Sequence, residues 1–117
     1  MTVYVLHFDP PYRQARHYIG YTPDASAERR VQEHLSGGYK ASPLVKAALE
    51  AGSAVTLAHE FPGDGRFFER WLKDRKDTRM WCRCCGVNAR PVPNSKGISE
   101  AYRLRKAARD RAHGRAA

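Results

Sequence analysis

The chain has 117 residues, of which 42% are hydrophobic and 10% aromatic, a composition typical of one globular domain and not of a disordered chain. It contains no apolar run long enough to cross a membrane, and its first residues lack the basic, apolar and small-residue regions of a signal peptide. We therefore expect a cytoplasmic protein with no membrane partner.

The formal net charge of +9 is unevenly distributed. Residues 1–65 carry six Lys/Arg and seven Asp/Glu, whereas residues 66–117 carry fifteen and five. A basic half on a small protein typically meets a polyanion, because cations that neutralise phosphates release condensed counterions. The alternative is an arginine-rich surface that serves solubility alone.

The first half of the chain predicts two strands. Residues 3–8 are rich in β-branched and aromatic side chains and end at Asp9-Pro10-Pro11, and residues 17–21 have a similar composition. We expect the two to pair as an antiparallel hairpin with a long polar loop. Gly20, inside the second strand, predicts a point of close approach by another backbone or a ligand.

Three helices and a third strand are predicted next. A helix capped by Thr22 or Ser26 ends at Gly37-Gly38, and it carries Arg30 and His34 one turn apart. Residues 43–51 predict a short second helix, residues 54–61 alternate like a strand, and residues 66–76 form a third amphipathic helix with Glu69 on its flank.

The remainder of the chain has a weaker pattern. Residues 78–97 predict loops, and a basic helix is expected from Glu100 to about His113. Its sizeable apolar residues are only Tyr102 and Leu104, so we expect it to fray or to be disordered. The sequence as a whole predicts an α/β fold of the α+β sandwich type. A small central antiparallel three-stranded sheet is flanked by helices in the order β-β-α-α-β-α, followed by a basic C-terminal extension.

Four motifs in this order resemble the GIY-YIG nuclease domain. Val3-Tyr4-Val5 stands in the place of GIY, Tyr18-Ile19-Gly20 reproduces YIG, the string from Arg29 to His34 is similar to the family's arginine helix, and Phe68-Glu69 is similar to its metal-binding glutamate. The similarity runs from Val3 to about Lys73 and is greatest to the structure-specific, branch-cleaving subgroup. It implies a nuclease-like domain over residues 1–77 and a basic, cysteine-containing extension over residues 78–117, which is too short for that subgroup's RING-type finger.

The resemblance implies a metal-dependent phosphodiesterase. Glu69 would hold Mg²⁺ or Mn²⁺, Tyr4 would act on the attacking water with Tyr18 as its partner, Arg30 would stabilise charge on phosphorus, and His34 would assist the water or bind phosphate. A phenol is a poor base at neutral pH, so the site would need to lower the pKa of the tyrosine. The glycine of GIY is absent here, and Asn88 or Asn94 could supply a late asparagine that many relatives carry.

The cysteines predict a metal site less strongly. Cys82 and Cys85 form a C-x-x-C pair with Cys84 between them, and His59 or His113 could complete a zinc site. No second pair follows, so reduced thiols without zinc are the expected default.

The function expected from the sequence is that of a DNA endonuclease. Branched or flapped DNA is the expected substrate and DNA repair the expected role, and RNA stays open as a further substrate. The backbone contacts would come from basic residues of the second half, namely Lys73, Arg75, Lys76, Arg79 and Arg83. One alternative is a nucleic-acid-binding module with the same fold and no turnover. Another is a zinc-dependent interaction protein.

Overall fold

The computed structural model describes residues 1–86, 92 and 94–114. Three antiparallel strands form one sheet in the order β2-β1-β3: β1 (Thr2–Tyr12), β2 (Ala15–Thr22) and β3 (Ala54–Pro62). Helices α1 (Glu28–Leu35) and α2 (Pro43–Glu50) lie between β2 and β3 in the chain, and α3 (Arg66–Arg75) and α4 (Ser95–Ala112) follow β3. The predicted order β-β-α-α-β-α and the three-stranded antiparallel sheet are confirmed.

Both faces of the sheet are covered by helices. Alternate side chains of β1, including Tyr4 and Phe8, pack against α1 and α2 on one face, while Val3 and Val5 pack against α3 on the other. This alternation follows from the two-residue period of a strand, and burial of both faces explains why β1 is almost continuously apolar.

The hairpin between β1 and β2 is tighter than the sequence predicts. Tyr12 pairs with Ala15 across a two-residue turn, in which Arg13 has a positive φ of 56°. The expected long loop is therefore wrong, although the antiparallel pairing is confirmed. The two prolines that predicted a loop lie between His7 and Tyr12, where the register of the β1–β2 pairing shifts. This part of β1 is not paired with β2, so the backbone N–H groups that proline lacks are not needed for that pairing.

An irregularity in β3 also changes the predicted pattern. Val5 of β1 pairs with His59, but the next residue, Leu6, pairs with Leu57, which leaves Ala58 as an extra residue. The predicted alternation therefore breaks within the strand, and Leu57 is exposed while Ala58 and His59 are buried.

The C-terminal helix is folded against the rest of the protein. It begins at Ser95, five residues before the predicted start at Glu100, and it packs along α3. A polar contact links the two helices where the apolar stripe is missing: the Tyr102 hydroxyl donates to Asp74 of α3. Within α4, the buried Asp110 accepts from Lys106 at 2.7 Å. The prediction of a fraying or disordered tail is wrong for the described residues of α4.

Candidate active site

Tyr4 and His34 meet in the interior, on the face of the sheet that α1 covers. Tyr4 lies on β1 and His34 in the last turn of α1; neither has exposed surface, and the Tyr4 hydroxyl lies 2.8 Å from His34 Nε2. The Tyr18 ring lies edge-on to the His34 ring with centroids 5.2 Å apart. Residues 4, 18 and 34 are thus one contiguous group, as the motif order predicts.

The backbone fixes which nitrogen of His34 carries the proton. The Ser42 N–H donates to His34 Nδ1 at 3.1 Å, so Nδ1 must present its lone pair. Burial, reinforced by the Arg30 charge, lowers the pKa of His34 to about 4, and the ring is therefore neutral at pH 7. Its single proton is on Nε2, which donates to the Tyr4 hydroxyl oxygen. The Tyr4 O–H is left as a donor, and His34 presents no free base to that side.

Burial also raises the pKa of Tyr4, and the neighbouring Tyr18 and the negative charge of Glu69 act in the same direction. The Arg30 guanidinium opposes that rise without reversing it. Tyr4 is therefore a neutral phenol at pH 7, and the lowered pKa that the sequence-based mechanism requires of Tyr4 is not produced by its side-chain neighbours.

Gly20, which has no side chain, leaves the space that the Tyr4 ring occupies. The two residues are cross-strand partners, and a Cβ on Gly20 would overlap with Cζ and Oη of the Tyr4 ring. The predicted close approach at Gly20 therefore exists, and the approaching group is the tyrosine ring itself.

Tyr18 and Glu69 line a groove of about 920 Å³ that runs between β2, α3 and α4. β2 is an edge strand, so its outer side is open to this space. The cationic side chains on its walls come from both helices: Arg66 and Arg70 from α3, and Lys106 and Arg109 from α4. The acidic ones are Glu69, Asp74 and Asp110.

The other predicted catalytic residues lie behind this groove. Tyr4 and His34 do not line it, and Arg30 Nη1 donates to the Lys40 carbonyl at 2.7 Å with about a quarter of its side chain exposed. Tyr18 is the residue that both borders the groove and touches the buried group.

The basic residues predicted to bind DNA do not line the groove. Lys73 pairs with Glu69 at 3.4 Å, and Arg75 pairs with Asp77 and stacks on Trp71. Lys76, Arg79 and Arg83 are exposed around the end of α3 and the turns that follow. The groove cations of α4 were missed because the helix was expected to be loose; the i, i+3 spacing of Lys106 and Arg109 is the signal that could have found them.

A second cluster lies on the opposite face of the sheet. His7 and His17 are cross-strand partners on β1 and β2, and Cys82 and Cys85 approach them from the segment 78–85, which forms two short 3₁₀ turns. The four ligand atoms lie within 4.8 Å of one another, which is a spacing that could hold a metal ion. All three cysteines are free thiols.

This cluster differs in part from the ligands that the sequence predicts for zinc. Cys82 and Cys85 belong to the cluster, but Cys84 is exposed and lies outside it. The two candidate histidines are also elsewhere: His59 is buried against Phe61, and His113 follows the last turn of α4. Of the two asparagines considered above, Asn94 is exposed just before α4, and Asn88 lies outside the described residues.

No known protein-family model, curated protein or solved structure significantly matches this chain. Within the described part of the chain, no helix has the length and apolarity needed to span a bilayer. The geometry of the two sites is therefore the basis for assigning a function.

Proposed function

We propose that the protein is a metal-dependent endonuclease that hydrolyses phosphodiester bonds of DNA in the groove between β2, α3 and α4. The observation that carries this proposal is that Glu69 and Tyr18 share a groove with four cationic side chains. A phosphodiester needs that combination: cations to hold the backbone, and a carboxylate that can hold a metal ion beside the reacting phosphorus.

Glu69 suits Mg²⁺ or Mn²⁺. These hard ions take oxygen ligands and are commonly held by one or two carboxylates, with waters and substrate phosphates completing the shell. Glu69 is partly exposed on the groove wall, and its ion-pair partner, Lys73, is a flexible side chain at 3.4 Å. The ion would neutralise charge on the phosphoryl oxygens and lower the pKa of its bound water.

The protein's own residues would orient the reaction. Tyr18, at the groove wall, would hydrogen-bond the attacking water through its hydroxyl group. Tyr4 and His34 would act behind it by fixing the ring of Tyr18. The complete burial of Tyr4 and its raised pKa argue against the prediction that Tyr4 itself is the base.

The decisive experiment is Glu69→Gln, assayed on linear, flapped and branched DNA with and without Mg²⁺ or Mn²⁺. Glutamine keeps the shape of the side chain and removes the charge that would bind the metal. We expect wild-type cleavage to require the divalent ion, and the variant to lose at least about 100-fold in rate while binding DNA as tightly as before.

Glu50→Gln is the matched control, because Glu50 is exposed on α2, away from the groove. It should cleave like the wild type. Unchanged cleavage by Glu69→Gln would remove Glu69 from the site. Salt-dependent DNA binding by the wild type without cleavage of any of these substrates would instead favour the alternative function, a binding module with this fold.

A further inference from the structure

We propose that His7, His17, Cys82 and Cys85 bind one structural Zn²⁺, which fastens the 78–85 segment to the β1–β2 hairpin. This site is separate from the groove, because none of its four residues lines the groove. It is also separate from the buried group of Tyr4 and His34: His7 and His17 point to the α3 side of the sheet, whereas Tyr4 and Tyr18 lie on the α1 side. The proposal therefore stands whether or not the protein cleaves DNA.

The distances fit tetrahedral zinc. His7 Nδ1 lies 3.2 Å from Cys82 Sγ and 3.7 Å from Cys85 Sγ, and His17 Nε2 lies 3.4 Å from Cys85 Sγ. With Zn–S near 2.3 Å and Zn–N near 2.0–2.1 Å, the nitrogen–sulfur edge of a tetrahedron is about 3.5 Å. One ion at the centre would reach all four atoms with small side-chain movements.

Hydrogen bonding alone is a poor reason for this convergence. Both sulfurs approach the same nitrogen of His7, yet an imidazole nitrogen has one lone pair and can fully accept only one S–H. A metal ion, in contrast, uses every one of these atoms at once.

The chemistry of the four ligands selects the metal. Two thiolates and two imidazoles in a tetrahedron are typical of zinc, whereas Mg²⁺ and Mn²⁺ prefer oxygen ligands. Binding would release one proton from each of the two thiols to solvent. The ion and the two thiolates would then sum to zero charge, which suits a site where His7 and Cys82 are buried.

The consequence is a covalent-like link between distant parts of the chain. Cys82 and Trp81 belong to the same apolar core as Val3 and Phe68, and the 78–85 segment follows α3 directly. Zinc would hold this segment and the middle of β2 together, and the residue after His17 is Tyr18 of the groove wall.

The test is the metal content of the full chain, purified without chelators and measured by plasma mass spectrometry. We expect one Zn²⁺ per chain, and an intense visible spectrum of tetrahedral cobalt when Co²⁺ replaces it. Cys85→Ser and His17→Asn should lose the bound zinc. Cys84→Ser is the matched control, since it removes the neighbouring exposed thiol, and it should retain one ion.

A second measurement separates loss of metal from loss of fold. A chelator should lower the midpoint of thermal unfolding of the wild type and of Cys84→Ser by about 10 °C or more, and should leave that of Cys85→Ser unchanged. Stoichiometric iron would overturn the identity of the metal. A folded wild type that holds no metal and takes up neither Zn²⁺ nor Co²⁺, or one whose mass shows a Cys82–Cys85 disulfide, would overturn the site.

Discussion

At the scale of single residues, the interior of the candidate active site is ordered by a chain of hydrogen bonds that starts at the backbone. The Ser42 N–H fixes the tautomer of His34, His34 donates to Tyr4, and Gly20 leaves room for the Tyr4 ring. Tyr4 and His34 are completely buried and hydrogen-bonded to each other, so a change at either of them, or at the Gly20 beside the Tyr4 ring, disturbs the others.

Gly20→Ala should displace the Tyr4 ring. The new methyl group would overlap with ring atoms on the opposite strand, and the ring is enclosed on its other sides. We expect a loss of about 1–3 kcal/mol in the free energy of unfolding, measured in urea, together with loss of any cleavage activity. Gly38→Ala is the control: a Cβ there meets only Ser36 Oγ at an ordinary 3.5 Å, and stability should change by less than about 0.5 kcal/mol. Equal stability of the two variants would show that the Tyr4 ring has free space.

The depressed pKa of His34 predicts how acid affects stability. In the unfolded chain, His34 takes up a proton below its ordinary pKa of 6.5. In the native protein, the ring stays neutral until about pH 4. Stability should therefore fall as the pH drops from 6.5 to 4, with a contribution from His34 of up to about 3 kcal/mol. Above pH 6.5 this residue adds no pH dependence.

The measurement is urea unfolding of the wild type and His34→Asn across pH 4–7. His7, His17 and His59 also have lowered pKa values through burial, so the difference between the two proteins isolates His34. We expect the variant to be less stable at pH 7 and to lose less on acidification. His113→Gln, at an exposed position, should follow the wild type. Parallel curves for the wild type and His34→Asn would contradict the buried neutral ring.

At the scale of elements, local patterns predicted the helices and strands well and their register poorly. The strand β1, the helix α1 and the helix α3 follow directly from composition and apolar spacing. The pairing of His7 with His17 does not, because an uninterrupted register from the Tyr12–Ala15 pair would place Gly20 opposite His7. A bulge of several residues on β1 shifts the pairing, and such a bulge depends on how the strand packs.

The same dependence on packing explains why more of the candidate active site than of the four-ligand cluster could be predicted from the sequence. Tyr4, Tyr18, His34 and Glu69 were found from the order of the motifs, and the structure brings the first three into contact. The four-ligand cluster could not be predicted from the sequence. The position of its two histidines depends on that bulge, and the position of its two cysteines depends on where the 78–85 segment folds. The position of α4 likewise depends on polar contacts such as that of Tyr102 with Asp74, which a pattern of apolar residues does not predict.

At the scale of the whole molecule, folding brings part of the positive charge of the second half to the groove. The near-neutral residues 1–65 include all three strands, while α4 of the basic half folds back along α3. Two of its cations, Lys106 and Arg109, therefore line the same groove as Tyr18 and Glu69. A polyanion drawn to the basic half would be brought to the candidate active site.

This arrangement predicts that DNA binding depends on where the cations lie and not on net charge alone. Arg70→Gln with Arg109→Gln removes one cation from each helical wall of the groove, and Lys46→Gln with Arg111→Gln removes the same charge at exposed positions outside its lining. If both groove arginines contact phosphates, the slope of log K against log salt for duplex DNA should become shallower by about 2 in the first pair, because each phosphate contact contributes about 0.9. The second pair should keep the wild-type slope. Equal losses in the two pairs would mean that DNA is held by the diffuse positive field of the whole chain, and the groove would then have no claim to be the binding site.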